Sequence, residues 1–126
     1  MIDRIDHIVL NCTDVQATAA WYVQALGFER FTYGPKQRVA LRFGRHKFNL
    51  RPSGAENWLT SRNDAAGSLD LCFVTKGPIQ AVIDRWGRLG IEIIFGPNTQ
   101  DGAEGPMTSV YCRDPDGNLI EVSSYD

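Results

Sequence analysis

The feature that most constrains this chain is that it nearly repeats itself. Leu26-Gly27-Phe28-Glu29 returns as Leu89-Gly90-Ile91-Glu92, an offset of 89 − 26 = 63 positions in a chain of 126 residues. In both places a glycine follows an apolar helical stripe and precedes an apolar segment. This is the pattern of a helix stopped by a left-handed C′ residue. Around each stop the same order of elements can be read. In the first half Ile5–Asn11 alternates like a strand with two different faces. Thr13, with Gln16 three residues on, predicts a capping box, and Val15, Ala19, Tyr22, Val23 and Leu26 supply the buried stripe of the helix. Extended segments are expected at Glu29–Tyr33, Arg38–Phe43 and Lys47–Arg51, the last two joined by Gly44-Arg45-His46.

The second half gives a strand at Leu69–Thr75 and a helix opened by Gly77-Pro78, with Ile79, Val82, Ile83, Trp86 and Leu89 on its apolar side. Strands are expected at Glu92–Phe95, Thr108–Arg113 and Asn118–Ser123. The last two are joined by the turn Asp114-Pro115-Asp116-Gly117, and Gly96–Pro106 is expected to be a long loop. The fold class is therefore α+β: two βαβββ modules related by pseudo-two-fold symmetry, forming a cupped, partly closed mixed sheet. A single domain is expected over 1–126, with module one at about 1–51, a linker at about 52–68 and module two at about 69–126.

Composition bounds the function. Apolar residues make up 43%, charged residues 22%, and the net charge is −2 with no clustered cations, which argues against nucleic-acid and anionic-membrane surfaces. No apolar run approaches the roughly 20 residues a membrane span requires. Three widely separated cysteines, Cys12, Cys72 and Cys112, read as buried free thiols in a reducing compartment, so the expected location is the cytoplasm.

The repeat also sorts the polar residues. His7 on the first strand maps onto Asp70, and Asn49 in Lys-Phe-Asn-Leu-Arg occupies the place of Glu121 in Leu-Ile-Glu-Val-Ser. If Phe48 and Leu50, and Ile120 and Val122, face their helices, then Asn49 and Glu121 point to the opposite, concave face. An inward carboxylate is costly unless it is paired or binds a cation. One imidazole, two carboxylates and an amide oxygen suit Mn, Fe, Ni, Zn or Mg as a divalent ion. Other roles stay open: His7 as a hydrogen-bonded strand residue, Asp70 paired with Arg51, Arg42 or Arg113, and Asn49 anchoring a backbone group.

His7-Ile-Val-Leu, the helix from Trp21-Tyr22 to Leu26-Gly27-Phe28, and Asp114-Pro115-Asp116-Gly117-Asn118 followed by Glu121 resemble the vicinal oxygen chelate superfamily. That group takes in glyoxalases, bleomycin-resistance proteins and extradiol dioxygenases. The resemblance covers essentially the whole chain and is closest to small single-domain glyoxalase-like members. It implies a metal held by His7, Asp70 and Glu121, Glu121 as the catalytic base, Asn49 and Arg51 as substrate contacts, and a homodimer. The expected activity is that of a lyase, isomerase or dioxygenase-like enzyme on a small oxygenated substrate. The alternative it implies is a metal-free protein that sequesters a drug or metabolite in a groove lined by Phe31, Tyr33, Trp58 and Tyr111. Asp70 stands where many metal-dependent relatives carry histidine, and Asn49 where glyoxalases carry a glutamate.

Overall fold

In the computed structural model, which describes residues 1–126, the chain divides into two compact units, Met1–Gly67 and Ser68–Asp126. The first runs β1 (His7–Cys12), α1 (Val15–Leu26), β2 (Glu29–Tyr33), β3 (Arg38–Phe43) and β4 (His46–Pro52). The second runs β5 (Asp70–Val74), α2 (Ile79–Leu89), β6 (Phe95–Gly102), β7 (Gly105–Arg113) and β8 (Leu119–Ser124). The sheets have the same order, β1-β4-β3-β2 and β5-β8-β7-β6, in which the first strand pairs parallel with the last and the other neighbours are antiparallel. The fold is α+β, two βαβββ modules with mixed sheets and no closed barrel, as the repeat predicts.

Each helix covers one face of its own sheet. In the first unit Leu10, Leu41, Phe48 and Leu50 are buried together with Tyr22 of α1. The rings set the packing: Tyr22 stacks on Phe28 at 5.6 Å, and Phe28 stacks on Phe43 at 4.3 Å. Phe43 meets Phe48 edge-on at 5.0 Å. In the second unit α2 buries Trp86 completely and packs on β7 and β8, where Val110, Cys112, Ile120 and Val122 are buried.

Both helices stop where the repeat places the stop. Gly27 (φ 72°) and Gly90 (φ 71°) are left-handed, and their N–H groups bond back into the last turn. Four details of the sequence reading are corrected. The N-cap of α1 is Asp14, not Thr13: its Oδ1 accepts from the Ala17 N–H at 3.0 Å. In α1 the fully buried residues are Thr18, Ala19, Tyr22 and Ala25, because the helix is turned so that Val15, Val23 and Leu26 are only half-buried.

The strand expected at Glu92–Phe95 begins at Phe95, and most of the expected Gly96–Pro106 loop is strand instead: β6 forms a hairpin with β7 through Gly102↔Gly105. Its Pro97 is tolerated because β6 is an edge strand with a bulge between Phe95 and Asn98. At that bulge Gly96 has φ +94°, and a Cβ there would lie 2.5 Å from the Ser109 carbonyl oxygen, so only glycine fits. Finally, all three cysteines are free, but Cys72 is exposed while Cys12 and Cys112 are buried.

The Asp-Pro-Asp-Gly-Asn turn is a clasp. Asp114 Oδ1 accepts from the N–H groups of Asp116 (2.9 Å) and Asn118 (3.0 Å), and its Oδ2 accepts from the Asn118 amide at 2.7 Å. Asn118, 1% exposed, in turn accepts from the Leu69 N–H at 2.9 Å. This ties the entry of β5 to the entry of β8 and sets their parallel register. Removing one partner leaves buried donors and acceptors unsatisfied, so Asn118→Ala should cost about 2–4 kcal/mol in urea unfolding. A loss below about 0.5 kcal/mol would show that the clasp is dispensable.

Candidate functional site

The face of each sheet away from its helix carries the polar residues. In the first unit the register aligns His7 with Lys47 and Arg42, and Val9 with Asn49 and Ala40. Alternation adds Asn11, Arg51 and Arg38, and from β2 the side chains of Glu29, Phe31 and Tyr33. In the second unit the rows are Cys72, Glu121, Tyr111 and Phe95, followed by Ser123, Ser109 and Asn98, with Asp70 at the start of β5.

His7, at the head of β1, is exposed. Its Nδ1 meets Asp6 Oδ2 at 2.8 Å, and this bond holds the Asp6 carboxyl below the usual carboxylate range. With a carboxylate as acceptor, Nδ1 carries a proton, and in the neutral ring it is then Nε2 that holds the lone pair. That is the arrangement usual for metal-ligating histidines, whose second nitrogen donates to a carboxylate.

Glu121 is half-buried and held by neighbours. Ser123 Oγ donates to its Oε2 at 3.1 Å, and Ser123 also shares a 2.6 Å hydrogen bond with the buried Ser109. Tyr111 is the neighbour of Glu121 in register; burial first, then the Glu121 carboxylate, push the Tyr111 phenol up to about 12. Cys72 is bonded to Ser123 at 3.3 Å, and its thiol is pushed up by burial and by the charges of Glu121 and Asp70. Asp70 is exposed.

Arg51 is 4% exposed and firmly held. Nη1 donates to Asn11 Oδ1 at 2.9 Å and to Asp64 Oδ2 at 2.8 Å, and Nη2 donates to the Ala55 carbonyl at 2.9 Å. Asp64, which also accepts from the Gly54 N–H, is held below the carboxylate range, chiefly by the Arg51 hydrogen bond. Two buried side-chain atoms have no partner: Arg51 Nε and Asn49 Oδ1. The amide oxygen of Asn49 therefore does not anchor a backbone group. Arg51 pairs with Asp64 and Arg42 with Glu29 at 3.6 Å.

Of the residues singled out from the sequence, the structure thus brings Asn49 and Arg51 together on one strand, with His7 on the same sheet face. Asp70 and Glu121 share the corresponding face of the other sheet. Sequence reasoning missed the groups that orient them: Asp6 for His7, Ser123 for Glu121, and Asp64 for Arg51. Ser123, two positions beyond Glu121, was open to detection by alternation. Asp64, in an irregular segment, left no such signal.

The donor chemistry of this set fits a borderline or hard divalent ion: an imidazole with an oriented Nε2, an orphaned amide oxygen and two carboxylates. No three histidine, cysteine, aspartate or glutamate side chains are gathered in a metal-holding group.

Residues 4–122 match the family model described as Glyoxalase/Bleomycin resistance protein/Dioxygenase superfamily. Among curated proteins, the chain is 44% identical to the virulence protein STM3117 of Salmonella typhimurium, over 99% of this chain and 86% of that protein. It is 40% identical to the glyoxalase domain-containing protein RDO1 of Mycosarcoma maydis, over 98% of this chain and 69% of that one. Among solved structures, an integron cassette protein from the mobile metagenome of V. cholerae superposes with a TM-score of 0.96 at 40% identity, covering 100% of this chain and 98% of that one. The lactoylglutathione lyase of Agrobacterium tumefaciens superposes at 0.74 with 25% identity, covering 98% and 95%.

Two outcomes follow from the geometry. Because the folded carboxyl of Asp64 is depressed, the stability it contributes is present above its unfolded pKa of about 3.9 and is lost as pH falls through the lower folded value. The melting-temperature gap between wild type and Asp64→Asn should therefore close in acid; a gap independent of pH would contradict the assignment. In ultraviolet titration Tyr111 should ionise near 12, and Glu121→Gln should move it only part of the way back toward 10, since burial remains. An unchanged titration would remove the influence of Glu121 on Tyr111.

Proposed function

This chain belongs to the Glyoxalase/Bleomycin resistance protein/Dioxygenase superfamily, and we propose that within it the protein is a metal-dependent enzyme acting on a small oxygenated substrate. The ion is one of Mn, Fe, Ni, Zn or Mg, and its ligands are His7, Asp70 and Glu121. The observation that supports this reading is the pairing of His7 with Asp6 at 2.8 Å, which leaves Nε2 as a ligand of fixed tautomer. Glu121 is oriented in a comparable way by Ser123. When bound, the metal supplies Lewis-acid stabilisation of an oxyanion.

The chain's own residues do the rest. Asn49 and Arg51 contact the substrate through the two buried atoms they leave unpartnered. Glu121 is the base, because the amide at position 49 cannot take a proton from carbon. Its serine neighbour fixes where its oxygens stand. A lyase or isomerase step fits this set better than extradiol oxygen chemistry, whose triad is two histidines and one carboxylate rather than one histidine and two carboxylates.

A second reading, metal-free sequestration of a metabolite or drug, is favoured by one observation: no three candidate ligands are gathered together. Metal titration separates the two. In the calorimeter the wild-type chain should take up one Mn, Ni or Zn ion per protein, and Glu121→Ala or His7→Ala should weaken that uptake at least tenfold. If purified protein carries no stoichiometric metal and Glu121→Ala leaves uptake unchanged, the sequestering role stands in place of the enzyme. The homodimer is part of the same proposal; light scattering showing a monomer across micromolar concentrations would remove it.

A further inference from the structure

Buried polar atoms are almost always hydrogen-bonded, and one left without a partner is destabilising by an amount comparable to a lost hydrogen bond. The first unit leaves two, and they are complementary: Arg51 Nε is a donor and Asn49 Oδ1 an acceptor. Both residues are more than nine-tenths buried, with 4% and 7% exposure. They alternate on β4, so they share the sheet face away from α1, with Cα atoms about 7 Å apart. Arg51 is fixed by Asn11, Asp64 and Ala55, so its Nε–H is a donor already held in place.

The neighbourhood adds charge and shape. Of the cations on this face, Arg42 is paired with Glu29 and Arg51 with Asp64. Three cations also lie over rings: Arg38 is 3.7 Å from the centroid of Trp58, Lys47 is 4.3 Å from that of Tyr33, and Arg42 is 4.2 Å from that of Phe31. The face therefore has more positive charge than its own carboxylates neutralise. In the row through Asn49 the register places Val9 on one side and Ala40, then Phe31, on the other. These are apolar side chains, small next to Asn49 and aromatic beyond.

We propose that this face binds a small organic anion with an apolar ring and a hydroxyl beside its anionic head, the head accepting from Arg51 Nε and the hydroxyl donating to Asn49 Oδ1. One acceptor and one donor on adjacent atoms of the ligand satisfy both orphans, and neither a neutral ring nor a simple carboxylate does so. The proposal rests on the reading of Asn49 and Arg51 as substrate contacts and is independent of the metal.

The test uses the full chain in chelator, with mandelate, phenylacetate and 1-phenylethane-1,2-diol as probes. Mandelate should bind about fivefold more tightly than phenylacetate and more than tenfold more tightly than the diol, the margins expected for one neutral and one charge-assisted hydrogen bond. The Arg51 Nε–H resonance should shift with both acids and stay unmoved with the diol. Asn49→Leu should erase the preference for mandelate over phenylacetate, and Arg38→Gln should weaken both acids. Equal binding of the diol, or a hydroxyl preference that survives Asn49→Leu, would overturn the proposal. If Asn49→Leu does not fold, the wild-type Nε–H resonance decides alone, and its failure to move with mandelate refutes the assignment. Anion binding in chelator is read apart from the calorimetric metal titration, so failure of metal uptake in that titration would sink only the enzyme reading, and failure of anion binding here only this one.

Discussion

A four-stranded sheet with one helix packed on it has one face committed to a core and one that is not, and everything distinctive about this protein follows from that division. Side chains alternate along a strand, so each residue spent on the core forces its neighbours to the other face. On β4, Phe48 and Leu50 go under α1, which fixes Lys47, Asn49 and Arg51 opposite. On β8, Ile120 and Val122 are buried in the core with α2, which fixes Glu121 and Ser123 opposite. The polar constellation is thus a consequence of the core: a slip of one residue in register would bury the charges and expose the rings.

The two polar faces differ in character. In the second unit the carboxylate of Glu121 is surrounded by hydroxyl and thiol groups, which can orient it without neutralising it. In the first unit cations outnumber acids, and aromatic rings take the place of missing counter-ions. A fold built from a repeat has in this way kept one backbone plan and given its two copies opposite electrostatic roles.

What was legible in the sequence was what depends on period and on glycine. The helix stops at Gly27 and Gly90, the βαβββ order and the faces of Asn49 and Glu121 all follow from local pattern. What was not legible depends on partners distant in sequence or on competition between adjacent residues. Thr13 and Asp14 are both good caps, and only the backbone shows that Asp14 holds the position. The Gly- and Pro-rich stretch before Met107 reads as loop by composition, yet β7 offers it a free edge to pair with. Arg51 reads as a surface cation seeking a substrate, while in the structure most of its donors are already spent on Asp64, Asn11 and Ala55. Even the Asp-Pro-Asp-Gly-Asn signature does its work on the backbone, through Asp114 and Asn118, and none of its side chains belongs to the polar face.

The placement of Lys47 shows how this sheet face distributes its positive charge. Lys47 is the direct neighbour of His7 in register, and an ammonium close to an imidazole would oppose any metal ion there. Its Nζ instead sits 4.3 Å from the centre of the Tyr33 ring, a side chain of β2, while His7 belongs to β1 at the opposite edge of the sheet. The ring thus seats the positive charge on the side of the sheet where Arg38 also stands, although that charge is still felt at Asp6, the partner of His7. The aromatic residues of this face therefore seat cations as well as offering apolar surface.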